Sequence, residues 1–170
     1  MVTGQWRPEL RDFLLTTAYV ALTGPVAGLL WWGQAPKLSK QSMARILAGS
    51  GAPFNALIGA DSWFLLVAAL AGAACATVVV LVRGVGPGLL AGLAIGGAAG
   101  AVIADRVGYL AGRGHTVAAM HAVGISTSGT AGNVLDFKVR AVGVMVAWPI
   151  AAILVFVLAL AVKDRNASLP

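Results

Sequence analysis

The residues that could carry chemistry are few. The carboxylates are Glu9, Asp12, Asp61, Asp105, Asp136 and Asp164. Asp61 and Asp105 are the two of most interest, because each stands where a long apolar run meets a polar loop. With Arg106 and Arg140 they form a candidate boundary ion cluster, with a cation or proton site as the functional alternative. No charge lies deep in an apolar run, and intramembrane ionisable residues are the usual mark of pumps and proton relays.

His115 and His121 are six residues apart, which does not place both on one ligand face of a helix. No metal or cofactor site is expected. Ser126 and Ser128 have no GxSxG context, and no HExxH motif is present. Cys75 is a lone cysteine inside an apolar run, so it reads as a small buried apolar residue. The inventory predicts a protein that is not an enzyme and has no catalytic residues.

The elements that hold these residues are clearer than their chemistry. The chain of 170 residues is 59% hydrophobic and 11% charged, with mean hydropathy +0.87. Soluble domains carry roughly 25% charged residues. Four runs, 13–32, 64–82, 85–104 and 141–162, contain no Asp, Glu, Lys, Arg or His. Each has the roughly 20 residues a helix needs to cross a bilayer core. Their continuity favours helices over an alternating barrel pattern. The fold class expected is therefore an all-α integral membrane protein with four transmembrane helices. It comprises an N-terminal segment 1–12, a transmembrane domain 13–162 with two outer loops 33–63 and 105–140, and a tail 163–170. The first run is too long for a signal-peptide core and reads as a retained span.

Four spans put both termini on one side. Arg7, Arg11, Arg83, Lys163 and Arg165 lie densely on that side. Lys37, Lys40, Arg45, Arg106, Arg113, Lys138 and Arg140 are spread over the long loops. Positive charge near short loops and span ends marks the cytoplasmic face, so both termini are expected in the cytoplasm of a plasma-membrane protein. Net charge +6 in scattered pairs suits anionic lipid headgroups and not nucleic acid. Trp31, Trp32, Trp63, Phe64, Tyr109 and Phe137 fall at the long-loop ends of spans and predict an interfacial belt. Pro25 and Pro149 predict kinks within spans one and four. Phe54–Ala60 is expected as a strand or re-entrant piece, and Ser39–Leu47 as a short amphipathic helix.

Glycine is the dominant pattern. Gly88, Gly92, Gly96 and Gly100 recur every fourth residue in GLLAGLAIGGAAG, and Ala104, Gly108 and Gly112 continue the spacing. In lipid, small residues let helix backbones approach and gain dispersion. Ala68, Gly72 and Ala76 in span two offer a partner stripe, and span one has Gly24 and Gly28. Spans two and three, joined by Arg83 and Gly84, are therefore expected as a small-residue-packed helical hairpin. A strict period of four winds around a helix, so the stripe can touch two neighbours in turn.

GPVAGLLWWGQAPK, ADSWF, a glycine-rich third span ending in ADRVG, and AWPIAAILVF occur in that order over most of residues 13–160. This layout resembles a family of small actinobacterial four-span membrane proteins of unknown activity. The resemblance implies a plasma-membrane protein and carries no catalytic residues. Two functions are expected to compete. One is a non-enzymatic accessory or scaffold component of a cell-envelope complex, with a membrane-protein partner or a second copy of itself. The other is a small oligomeric transporter or permease-like subunit.

Overall fold

The computed structural model describes residues 6–35, 52–122, 124, 139 and 142–167. Five α-helices are described: α1 (Trp6–Leu22), α2 (Gly24–Gln34), α3 (Ala52–Arg83), α4 (Pro87–Ala122) and α5 (Ala147–Ala167). A short 3-10 helix, Val142–Val146, leads into α5. No strand occurs among the described residues. Four stretches are long and apolar enough to cross a membrane: Arg7–Gln34, Ile58–Arg83, Pro87–Ala122 and Gly143–Arg165. The chain thus has the makings of a multi-pass membrane protein.

The spans end for local chemical reasons. Gly84 has φ +83° and its N–H bonds to the Val80 carbonyl at 2.9 Å, which caps α3. Glycine takes that left-handed cap without the penalty of a Cβ. Pro87 then opens α4, where its missing N–H is no loss. Span one is interrupted at Thr23, between α1 and α2. Pro25 cannot donate a backbone hydrogen bond, and the break occurs just before it. The Thr23 hydroxyl donates to the Val20 carbonyl at 2.7 Å, supplying a donor at the interruption.

The structure departs from sequence expectation in several ways. Residues 54–60 lie within α3 and form no strand or re-entrant piece. The third helix continues past Asp105 to Ala122, through much of the expected second loop. A helix can outrun the apolar run that begins it, because hydropathy marks a span and not the end of a helix. Pro149 lies in the first turn of α5, not inside a continuous α-helix from residue 141, so it sits where the helix has no intrahelical partner for an N–H. A 3-10 segment, Val142–Val146, precedes α5. The segment Ser39–Leu47 lies outside the described residues, as do Arg140 and Phe137.

Around the bundle, span one lies beside α4, α4 beside α5, and α5 beside α3; α3 returns to touch α2. Sequence neighbours α3 and α4 pack little against each other, contrary to the expected small-residue hairpin. The link Gly84–Gly86 lets the two helices splay, and each turns its glycines toward another partner. The buried centre comprises Val20, Trp31, Phe64, Leu93, Trp148 and Phe156 with small residues between them. Outward rows of Leu and Val stay exposed: Leu22 is 75% accessible and Leu81 79%. In water that would be a costly surface, and in hydrocarbon it is the natural one.

Candidate functional site

The glycine stripe of α4 faces span one. A Cβ at Gly88 would lie 2.6 Å from the Glu9 carbonyl oxygen, and one at Gly92 would lie 2.7 Å from Thr16 Cβ. One at Gly96 would come within 2.9 Å of Val20 Cβ, and one at Gly100 within 3.2 Å of the Val20 carbonyl oxygen. From the other side, a Cβ at Gly24 would lie 2.7 Å from the Gly100 carbonyl oxygen, and one at Gly28 would collide with the Ala104 carbonyl. At Gly24, Gly28 and Gly88 the nearest atom is a backbone oxygen, and at Gly92 and Gly96 it is a β-carbon of span one, so a side chain at these positions would force the helices apart. Gly72 of α3 does not join them; its missing Cβ makes room for Trp148 of α5. The stripe winds as its period requires: Gly97 and Gly100 also border the Trp148 indole, and Gly108 lies under the Trp31 ring.

Two tryptophans therefore occupy spaces that glycines leave. Trp31 is fully buried, and its indole N–H donates to the Ala60 carbonyl at 2.8 Å. Its ring meets Phe64 edge-on, with centroids 5.2 Å apart and planes at 86°. This one side chain ties α2, α3 and α4 together at the long-loop end. Trp31 and Phe64 are thus core residues and not part of an interfacial belt, because the buried indole N–H finds a backbone acceptor. Trp63 remains partly exposed, and Trp32 stacks on His115 at 6.1 Å. Trp148 is also fully buried, but its indole N–H has no hydrogen-bond partner among the described residues. Such an orphan donor costs about 1–3 kcal/mol. Sequence reading treated Trp148 only as the neighbour of Pro149. The signal that marks it is a large ring opposite Gly72 and Gly97, which needs the helix pairing to be seen.

A small polar cluster lies at the break in span one. The Thr23 hydroxyl is 3.5 Å from the Cys75 thiol. The thiol is buried, as expected. On the terminal side, Arg83 of α3 and Asp12 of α1 form an ion pair at 2.8 Å. Both side chains are partly exposed, so the pair contributes at most about 1 kcal/mol. It was not foreseen, since the two residues belong to helices that do not otherwise pack.

Two of the boundary residues, Asp61 and Asp105, are brought to a similar level. Trp31 touches both Ala60 and Gly108, which puts Asp61 and Asp105 within about one helical turn of that ring. The Asp105 carboxylate accepts a hydrogen bond from the Val139 backbone N–H at 3.0 Å. That contact ties α4 to the chain leading into the last span, which is an anchoring role. Arg106 is exposed, and Arg140 lies outside the described residues. No group of His, Cys, Asp and Glu suited to a metal ion occurs among the described residues.

Comparison with protein families, with characterised proteins and with solved structures finds no match to this chain.

Proposed function

We propose that the protein is a non-enzymatic, multi-pass component of the plasma membrane, acting as an accessory or scaffold subunit of a cell-envelope complex. The observation that carries this reading is the close packing among the described residues. Span one and α4 meet backbone to backbone at Gly24, Gly28, Gly96 and Gly100, Trp31 is seated on Gly108, and Trp148 lies against Gly72 and Gly97. A bundle closed in this way presents its features outward, to lipid or to a neighbour. The exposed rows at Leu10, Leu14, Leu22, Val26 and Leu29 give span one a broad apolar face for such a contact.

In this reading both termini lie in the cytoplasm, where the dense Arg7, Arg11, Arg83, Lys163 and Arg165 meet anionic headgroups. The long loops face outward. The partner is another membrane protein or a second copy of the chain. Cross-linking in intact membranes followed by purification in mild detergent tests the proposal. A stable partner is expected. A protein that remains monomeric and alone at native abundance would refute it.

The second reading is a small oligomeric transporter subunit, with Asp61 and Asp105 near one level as its motivating feature. Flux in proteoliposomes that disappears in Asp61→Asn would establish it in place of the scaffold role.

A further inference from the structure

Two cavities meet at Arg83. The first is a groove of about 280 Å³ between α1 and α3, lined by Leu15, Tyr19, Val78, Val82 and Arg83. It exists because those two helices do not pack along their length. Its lining is open to the side: Leu15 is 47% accessible and Val82 72%. The Thr23–Cys75 contact, at 3.5 Å, lies about one helical turn further into the bundle. From Val78 to Arg83 the groove runs roughly 8 Å at 1.5 Å per residue, the length of the upper part of one acyl chain.

The second cavity, about 360 Å³, lies beyond the ion pair and is polar, with Glu9, Asp12 and Arg83 in its wall beside the Gly86–Leu89 turn. Arg83 spends one N–H on Asp12. A guanidinium has five N–H donors in a planar fork, so others can meet a phosphate. The wall holds two carboxylates to one guanidinium, an excess of negative charge. A headgroup that is only anionic is disfavoured there. One that carries a hydrogen-bonding ammonium beside its phosphate matches both signs, with phosphate on Arg83 and ammonium on Glu9.

We infer that α1 and α3 form a binding site for an aminophospholipid, with one acyl chain in the lateral groove and the phosphate–ammonium headgroup at Arg83 and Glu9. The site rests on the proposed membrane placement, and it departs from the general attraction to anionic lipid at the charged margins.

The test uses the full-length protein extracted from carbonate-washed membranes and stripped of lipid. If the protein does not sediment with those membranes, the membrane placement itself fails, independently of the lipid result. Dioleoyl phosphatidylethanolamine, phosphatidylglycerol and phosphatidylcholine are titrated separately and bound lipid is counted by native mass spectrometry. Phosphatidylethanolamine is expected to bind on the order of threefold or more tightly than the other two, the scale of a partly exposed ion pair. Glu9→Gln, at an exposed position outside the Asp12–Arg83 pair, removes that preference. Val78→Trp fills the groove and lowers binding of all three; Leu15→Trp does the same from the other wall, should the first variant misfold. Equal or tighter binding of phosphatidylglycerol, or a preference that survives Glu9→Gln, would overturn the inference.

Discussion

Replacing Gly28 by alanine tests the packing on which the bundle depends. The added methyl meets the Ala104 carbonyl oxygen first, then Ala104 Cα at 3.0 Å and its carbonyl carbon at 3.1 Å. Ordinary carbon–carbon contact lies at about 3.5–4.0 Å, so α2 and α4 must part by roughly 0.5–1 Å. A gap of that size forfeits about a quarter to a half of each dispersion well it opens. All three atoms are backbone, so no rotamer change relieves the clash. Overpacking of this kind costs about 1–3 kcal/mol. The helix preference of alanine over glycine offsets up to about 1 kcal/mol. With the full offset a net loss of about 0–2 kcal/mol is expected, and relative to a glycine-to-alanine change in open space the loss is about 1–3 kcal/mol. The assay is reversible SDS-driven unfolding in mixed micelles, followed by tryptophan fluorescence. Gly114→Ala is the matched control: it lies in the same α4, is exposed, and has open space where its Cβ would stand. That variant is expected to be neutral or stabilised by up to about 1 kcal/mol. If Gly28→Ala is as stable as Gly114→Ala or more so, the close approach of α2 and α4 is not the source of stability.

Other substitutions probe single contacts. Trp31→Phe removes the hydrogen bond to the Ala60 carbonyl as well as ring volume, and should cost about 1–2 kcal/mol in the same unfolding assay. Trp148→Phe removes a donor that has no described partner, so it should be clearly less destabilising than Trp31→Phe; an equal or larger loss would show that the Trp148 indole N–H is satisfied. Asp12→Asn should lower stability by less than about 1 kcal/mol, with the difference shrinking in high salt, because the Arg83 pair is partly exposed. Cys75, 4% accessible, should resist a water-soluble maleimide in the folded protein and react fully after SDS unfolding, read by mass spectrometry. Prompt labelling of the folded state would contradict the packing around Thr23.

The candidate site was less legible than the fold. Asp61 and Asp105 stood out in sequence because charge at the edge of an apolar run is conspicuous. Their roles depend on partners distant in the chain: Asp105 meets the Val139 backbone, which no spacing rule could select. Asp12 and Arg83 were visible only as isolated charges near span ends. Their pairing depends on α1 and α3 coming within reach at one end while diverging along the groove. Trp31 and Phe64 misled for a related reason. An aromatic at a span end suits an interface, yet the same position can turn inward when a backbone carbonyl, here that of Ala60, accepts its N–H.

What the sequence by itself determined is the number and class of the elements. Long uncharged runs dictate helices of membrane-crossing length, since in hydrocarbon a helix satisfies its own backbone. Gly84 and Pro87 likewise announce the turn between the second and third spans, because φ freedom and a missing N–H act locally. The glycines every fourth residue announce that α4 approaches something closely. Only the tertiary structure decided what it approaches. A small-residue face fits any other smooth helix face, so spacing cannot choose among neighbours. In the structure Gly72 and Gly97 receive the backbone of α5 at Trp148 and Pro149 together with the edge of the Trp148 indole, and Trp31 is seated on Gly108. Those fits are matters of shape, which a one-dimensional pattern does not carry.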